Sequence, residues 1–269
     1  MTDDPYLNMP APDSLEAVRL PFNVLYLSWE NGQPQLRELG GPKCFGAWIA
    51  KKAQADEIEG LALPQSFGKY TRSYKSGEQE PCYAARTVTV SIFANRMRYV
   101  NRNDDKDGSM SWRPGFVQHI QWLAAMFLDQ SLSSFVPVVM TTKGTQIKKI
   151  NAAMKEWHDA IAIREAKLAR YPISAFAITV GSYGEQPVYE KVTNPKTGES
   201  SQITPIKAAI SADPAKRLIQ PAVVQRLTEL RLQAAEWLVN WNKMYGQKQL
   251  EMETANGAPG LDDFEDKPF

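Results

Sequence analysis

Ile147, Ile150, Met154, Trp157, Ile161 and Leu168 recur at spacings of three, four and seven residues. That is one face of an α-helix, and it predicts a helix over Thr145–Ala169. Elsewhere the pattern is different. Phe22 to Trp29 is rich in β-branched and aromatic side chains and stops at Asn31-Gly32, which reads as a strand and a turn. Gly41-Pro42 precedes Lys43–Ile58, a predicted short helix with Phe45, Trp48 and Ile49 inward and Lys51 and Lys52 outward. Ser66–Lys75 and Pro81–Ala94 flank Ser76-Gly77, a hairpin signal, and Arg96–Arg102 continues or follows the second strand. Phe116–Leu128 reads as a helix, Phe135–Thr142 as a buried strand and Ile173–Tyr183 as another strand. Val188–Thr193 and Ser201–Ile206 flank Asn194-Pro195-Lys196-Thr197-Gly198, a second hairpin. Asp213-Pro214 starts a helix that Pro221 interrupts or restarts. Val224, Leu227, Leu230, Ala234, Trp237 or Leu238, and Trp241 then share one face of a long C-terminal helix.

Strands that run in hairpins, rather than alternating singly with helices, point to an α+β fold of five to seven strands closed as an antiparallel β-barrel. The chain has 269 residues, 43% hydrophobic and 23% charged, which excludes disorder throughout and provides ample material for a core. No apolar stretch approaches the roughly 20 residues of a bilayer span. The opening Met1-Thr2-Asp3-Asp4 does not read as a secretory signal, so a cytoplasmic location and reduced, buried Cys44 and Cys82 are expected. Residues 1–18, with Pro5, Pro10 and Pro12, read as a loosely held arm, 19–250 as the folded domain, and 251–269 as a linker and acidic tip.

Charge sharpens this division. Residues 251–269 carry six acids and one lysine, a charge of −5, so the other 250 residues, with 30 basic and 24 acidic groups, carry +6. A basic body with an acidic tail suits a polyanionic ligand, the tail serving as an interaction peptide or an internal competitor. The tip reads Leu261-Asp262-Asp263-Phe264-Glu265-Asp266-Lys267-Pro268-Phe269. It resembles the acidic tips, closing in Pro-Phe, of bacterial single-stranded DNA-binding proteins and of several phage counterparts. Lys267 stands where an acid or an apolar residue is commoner in that family. The resemblance implies an oligonucleotide-binding (OB-like) barrel in 19–250, no catalysis and no cofactor. Its expected partners are single-stranded DNA and, through Asp262, Asp263, Phe264, Glu265, Asp266, Pro268 and Phe269, replication or repair proteins. In physical terms, a terminal Phe offers a ring to an apolar pocket and a carboxylate to a cation, while the acids steer toward a basic receptor.

The body holds a candidate surface for the strand. Between residues 69 and 102 lie Lys69, Arg72, Lys75, Arg86, Arg96, Arg98 and Arg102 against Glu78 and Glu80, a net +5. Alternation in a strand over Gly68–Lys75 puts Tyr70, Arg72 and Tyr74 on one face, where rings stack bases and guanidinium meets phosphate. The same residues read equally as half-buried sheet tyrosines and a solvated basic face. Lys143, Lys148, Lys149 and Lys155, near the start of the middle helix, form a secondary basic patch, and Lys143-Gly144-Thr145 lacks the spacing of a P-loop. Other chemistry is weak in the sequence. His119 and His158 have no Cys or second His at ligand spacing, and the calcium-like run Asn103–Gly108 meets Pro114 where the loop needs Glu. Two other classes stay open: an annealing factor or nucleic-acid enzyme carrying a similar tip, and a protein-only adaptor or inhibitor acting through the tail. Assembly into a homo-oligomer is compatible with either.

Overall fold

The computed structural model describes residues 20, 22–33, 42–74, 76–101, 108–109, 115–193, 198 and 200–235. In chain order the elements are β1 (Leu25–Glu30), α1 (Pro42–Phe45), β2 (Ala47–Lys51), α2 (Lys52–Glu57), β3 (Gly68–Ser73), β4 (Gln79–Ala85), β5 (Thr87–Asn101) and β6 (Gly108–Ser109). There follow β7 (Phe116–Phe127), β8 (Phe135–Lys143), α3 (Thr145–Arg164), β9 (Ile178–Gly181), β10 (Glu190–Thr193), β11 (Ser200–Ile203) and β12 (Lys207–Ala208). Helix α4 covers 221–235. The expected helix face beyond that point, with Trp237 and Trp241, lies outside the described residues, as do the N-terminal arm and the tip.

The chain divides into two compact units. The larger comprises Phe22–Arg96 and His119–Leu232; the smaller takes Met1–Pro21, Met97–Gln118 and Gln233–Phe269. Within the smaller unit, β6 pairs antiparallel with the outer end of β5, Tyr99 opposite Ser109 and Val100 opposite Gly108.

The main sheet has the order β12-β9-β5-β7-β8-β1-β2-β4-β3. β9 runs antiparallel to β5 and β12, β7 to β8, β2 to β1 and β4, and β3 to β4, whereas β1 and β8 run parallel. The fold is therefore α+β, built on one large antiparallel-dominated sheet that curls into a half-barrel. The curl is visible at Trp48: on β2, five strands along from β9, its fully buried indole donates Nε1–H to the Val180 carbonyl at 3.2 Å. Trp48 also packs edge-on against Trp29, with centroids 5.1 Å apart. The inner face gathers Leu25, Leu27, Ala50, Val88, Val90, Trp122, Met126, Val138 and Met140. Helix α3 adds Ile150, Trp157 and Ile161 to this core, Trp157 meeting Phe176 edge-on at 5.2 Å. On the outer face, Ala125 and Phe127 pack with Val223 and Leu227 of α4, and Ala47, Ile49, Cys82 and Ala84 form a smaller cluster under Tyr70.

The hairpin at Ser76-Gly77 is present: Gly77 takes φ +87° and the Tyr74 amide donates to Glu78 O at 2.9 Å. The hairpin at Gly198 is present as β10 and β11. The middle helix starts at Thr145 as expected and ends at Arg164, five residues early. Four expectations are overturned. Lys43–Ile58 is not one helix: Gly46, at φ +83°, ends α1, and Ala47–Lys51 is a strand. Phe116–Leu128 is not a helix but the twelve-residue β7, paired with β8 from His119–Lys143 to Phe127–Phe135. Both segments are buried on two faces, Trp48 and Ala50 inward against Ala47 and Ile49 outward, and Trp122, Ala124 and Met126 against Ala125 and Phe127. Such strands lose the alternation that distinguishes them from helices. Pro81–Ala94 is likewise not one strand but two, broken at Arg86, and Ile173–Tyr183 begins as a 3-10 turn before the short β9.

If Trp48 closes the curl, Trp48→Ala should lower unfolding stability by about 3–5 kcal/mol, and Trp48→Phe, which keeps most of the volume but leaves Val180 O without its donor, by about 1–3 kcal/mol. Denaturant unfolding checks both; a negligible loss for Trp48→Phe would mean that volume alone matters.

Candidate nucleic-acid interface

Alternation along β1 turns Leu25, Leu27 and Trp29 into the core and Tyr26, Ser28 and Glu30 outward. Cross-strand register then places Lys51 of β2 opposite Cys82 of β4, Cys82 opposite Tyr70 of β3, and Glu80 opposite Arg72. These outward groups form a connected network across four strands. Tyr70 donates its hydroxyl hydrogen to Glu30 Oε2 at 3.0 Å. Arg72 donates Nε–H to the other Glu30 oxygen and Nη2–H to Ser28 Oγ at 3.0 Å, and its Nη1 lies 3.9 Å from Glu80. Tyr74 donates to Glu80 Oε2 at 2.5 Å, and Lys51 pairs with Glu80 Oε1 at 2.7 Å. The Arg72 guanidinium lies 5.7 Å from the centre of the Tyr74 ring, and Lys43 Nζ lies 5.7 Å from that of Tyr70.

The network is electrostatically coherent. Burial, and then the Glu30 carboxylate that accepts its hydrogen bond, push the Tyr70 phenol above the usual tyrosine range. Burial pushes the Glu80 carboxyl up, but hydrogen bonds from Lys51 and Tyr74 and the charges of Lys51 and Arg72 outweigh it, so Glu80 sits below its ordinary value. Burial of Arg72 is likewise outweighed by Glu30.

The sequence reading placed Tyr70, Arg72 and Tyr74 together, and the structure does bring them together. It gives each of them a carboxylate partner, Glu30 or Glu80, that the reading missed. Strand alternation in Ser28-Trp29-Glu30 was the available signal for Glu30; that β1 and β3 meet on this face depends on the curl. Lys69 lies on the other side of β3, exposed with Thr71 and Ser73. Arg86 stands alone between β4 and β5, its guanidinium 3.4 Å from the centre of the Phe45 ring and its Nη2 donating to Gly184 O at 2.6 Å. Arg96 is not on an exposed basic face: it is 6% exposed and donates Nε–H to the buried Gln121 Oε1 at 2.6 Å. Arg98 is half-buried in the smaller unit. Lys75, Arg102 and the tip residues Asp262, Asp263, Phe264, Glu265, Asp266, Pro268 and Phe269 lie outside the described residues. In the secondary patch, Lys149 pairs with Glu190 and Lys155 with Asp159, leaving Lys143 and Lys148 exposed.

No known family, curated protein or solved structure matches this chain. The reading of function therefore rests on the chain's own chemistry. Cys44 and Cys82 are buried and not joined in a disulfide. Among the described residues no three His, Cys, Asp or Glu side chains are grouped to hold a metal ion, and no helix is long and apolar enough to cross a membrane.

The network yields a prediction with a defined sign. Because folding raises the Tyr70 ionisation above its unfolded value of about 10, the neutral phenol contributes stability that is complete below that pH and is lost as pH rises through the folded value. Glu30→Gln removes the repelling charge while leaving burial, so Tyr70 should ionise at lower pH than in the wild type. Titration of ring-labelled tyrosine by NMR reads this directly, and an unmoved Tyr70 transition would show that Glu30 does not act on it.

Proposed function

We propose that this protein binds single-stranded DNA with little sequence preference, in replication, recombination or repair, and that its acidic segment recruits partner proteins. The observation that carries the reading is the charge division: a body of +6 joined to a −5 segment that resembles the tips of single-stranded DNA-binding proteins. An antiparallel sheet curled into a half-barrel is compatible with the OB-like core that such proteins use. The binding is non-catalytic and needs no cofactor. Phosphate contact falls to exposed cations such as Lys69, and base stacking to Tyr74, the exposed ring of the trio. Tyr70 and Arg72, tied to Glu30, act as supports that hold the hairpin in place.

The carboxylates Glu30 and Glu80 are the one observation favouring a protein-only adaptor, because they offset much of the local positive charge.

Fluorescence anisotropy with oligonucleotides of graded length separates the two readings. Single-strand affinity should exceed duplex affinity and fall steeply between about 50 and 200 mM salt, as counterion release requires. Tyr74→Ala should weaken it by about 1–3 kcal/mol. No binding at low salt, or equal binding to duplex, refutes this function. Deleting Leu261–Phe269 removes four acids and one lysine. Single-strand affinity should then stay equal or rise, whereas deleting Phe269 alone should abolish partner capture and leave DNA affinity nearly unchanged.

A further inference from the structure

Two arginines on the β3–β4–β5 stretch are handled in opposite ways. Arg72 is surrounded by acid, bonded to Glu30 and close to Glu80. Arg86 pairs with no carboxylate among the described residues. Its neighbours are the ring of Phe45 at 3.4 Å, the Gly184 carbonyl at 2.6 Å and the region of Cys44. Its Nε is buried and donates to nothing among the described residues. Burial, the largest influence on this group, works against its charge, and it outweighs the opposing influence of the Cys44 thiol.

The surroundings hold Arg86 in place from several sides. The Ser182 amide donates to Arg86 O at 2.9 Å, and the Ser182 hydroxyl donates to Gly46 O at 2.9 Å, just after Phe45. Gly181, opposite Thr87, has φ +151°, and a Cβ there would lie 2.0 Å from Arg86 O. A cation that is stacked, fixed in orientation and not neutralised is preorganised for an anion, because the cost of ordering a long side chain has been met in folding. Guanidinium groups meet phosphate through directed hydrogen bonds, and an arginine whose plane rests on an aromatic ring keeps its edge for such a ligand.

We infer that Arg86, backed by Phe45 and anchored by Gly184, is a phosphate-binding position, which on the function proposed above takes one backbone phosphate of the bound single strand. Arg72 is then structural, and the two arginines separate experimentally.

The test uses the full chain with an oligo(dT) probe and, separately, inorganic phosphate. Arg86→Met keeps a long side chain against Phe45 and removes the charge. It should weaken oligonucleotide binding roughly tenfold or more. It should also lower the salt slope by about 0.7, the share of one single-strand phosphate contact. Arg86→Lys should restore the slope but not the full affinity, because an ammonium lacks the planar fork. Inorganic phosphate should raise the melting temperature of the wild type above that in chloride at equal ionic strength, and should not do so for Arg86→Met. Should Arg86→Met fail to fold, the wild type decides: oligonucleotide should protect Arg86 from phenylglyoxal, read by peptide mass spectrometry. Unchanged affinity and slope in a folded Arg86→Met, or equal modification of Arg86 with and without saturating oligonucleotide, overturns the assignment to the strand. If the wild type binds no oligonucleotide but phosphate protects Arg86, the single-strand function fails and the anion site stands. If phosphate does not protect it either, the anion site fails as well.

Discussion

A methyl group at position 181 would approach the carbonyl oxygen of Arg86 to 2.0 Å, and the closeness of those two backbones is the constraint on which the curl depends. β4 ends at Ala85 and β5 begins at Thr87, so one residue carries the chain from the β2 side of the sheet to its β9 side. That junction holds because glycine lets β9 come up against it. Once there, the Ser182 amide takes up Arg86 O, the Ser182 hydroxyl reaches Gly46 O, and Val180 O receives the indole of Trp48. Each bond satisfies a polar group that closure would otherwise bury unpaired. The curl in turn makes a concave inner face that α3 fills with Ile150, Trp157 and Ile161.

Curling also explains the outer network. β3 is the last strand of its sheet among the described residues, and its exposed side carries Lys69, Thr71 and Ser73, polar groups suited to a sheet edge. On this outward face the hairpin meets β2 through a small apolar cluster, Cys82 and Ala84 against Ala47 and Ile49. The link from Tyr70 and Arg72 to Glu30 supplies what that cluster lacks, tying the edge strand β3 to β1 across β4 and β2. Partly buried charge-assisted bonds are worth more than exposed ones, because water competes less for their donors and acceptors.

The pattern of apolar residues disclosed what is one-sided. α3 showed its periodicity because one face meets the core, and both glycine-marked hairpins were legible because positive φ at Gly77 and Gly198 leaves a mark in the sequence. What was hidden is two-sided. β2 and β7 are buried on both faces, so Ala47–Ala50 and Trp122–Phe127 read as helical apolar runs. Their strand character is imposed by partners, nine aligned positions with β8 in the case of β7. The number of strands was underestimated for the same reason, since each misread helix concealed one and Pro81–Ala94 concealed a break.

At the candidate site the same limit takes an electrostatic form. Alternation correctly grouped Tyr70, Arg72 and Tyr74 because periodicity is local, but the charge of their neighbours is not. Glu30 lies 42 residues from Arg72 in the chain and Glu80 eight, while Arg86 is 98 from the carbonyl that anchors it. Seven cations counted along residues 69–102 therefore represent different physical situations: Arg72 is neutralised, Arg96 is buried against Gln121, Lys69 is free in solvent, and Arg86 is stacked without an acid. Net charge measures attraction at a distance, where these differences average out. Binding at contact depends on which cations still have a hydrogen-bonding edge to offer, and that is decided by the closure of the sheet, which brings carboxylates to Arg72 and a ring to Arg86.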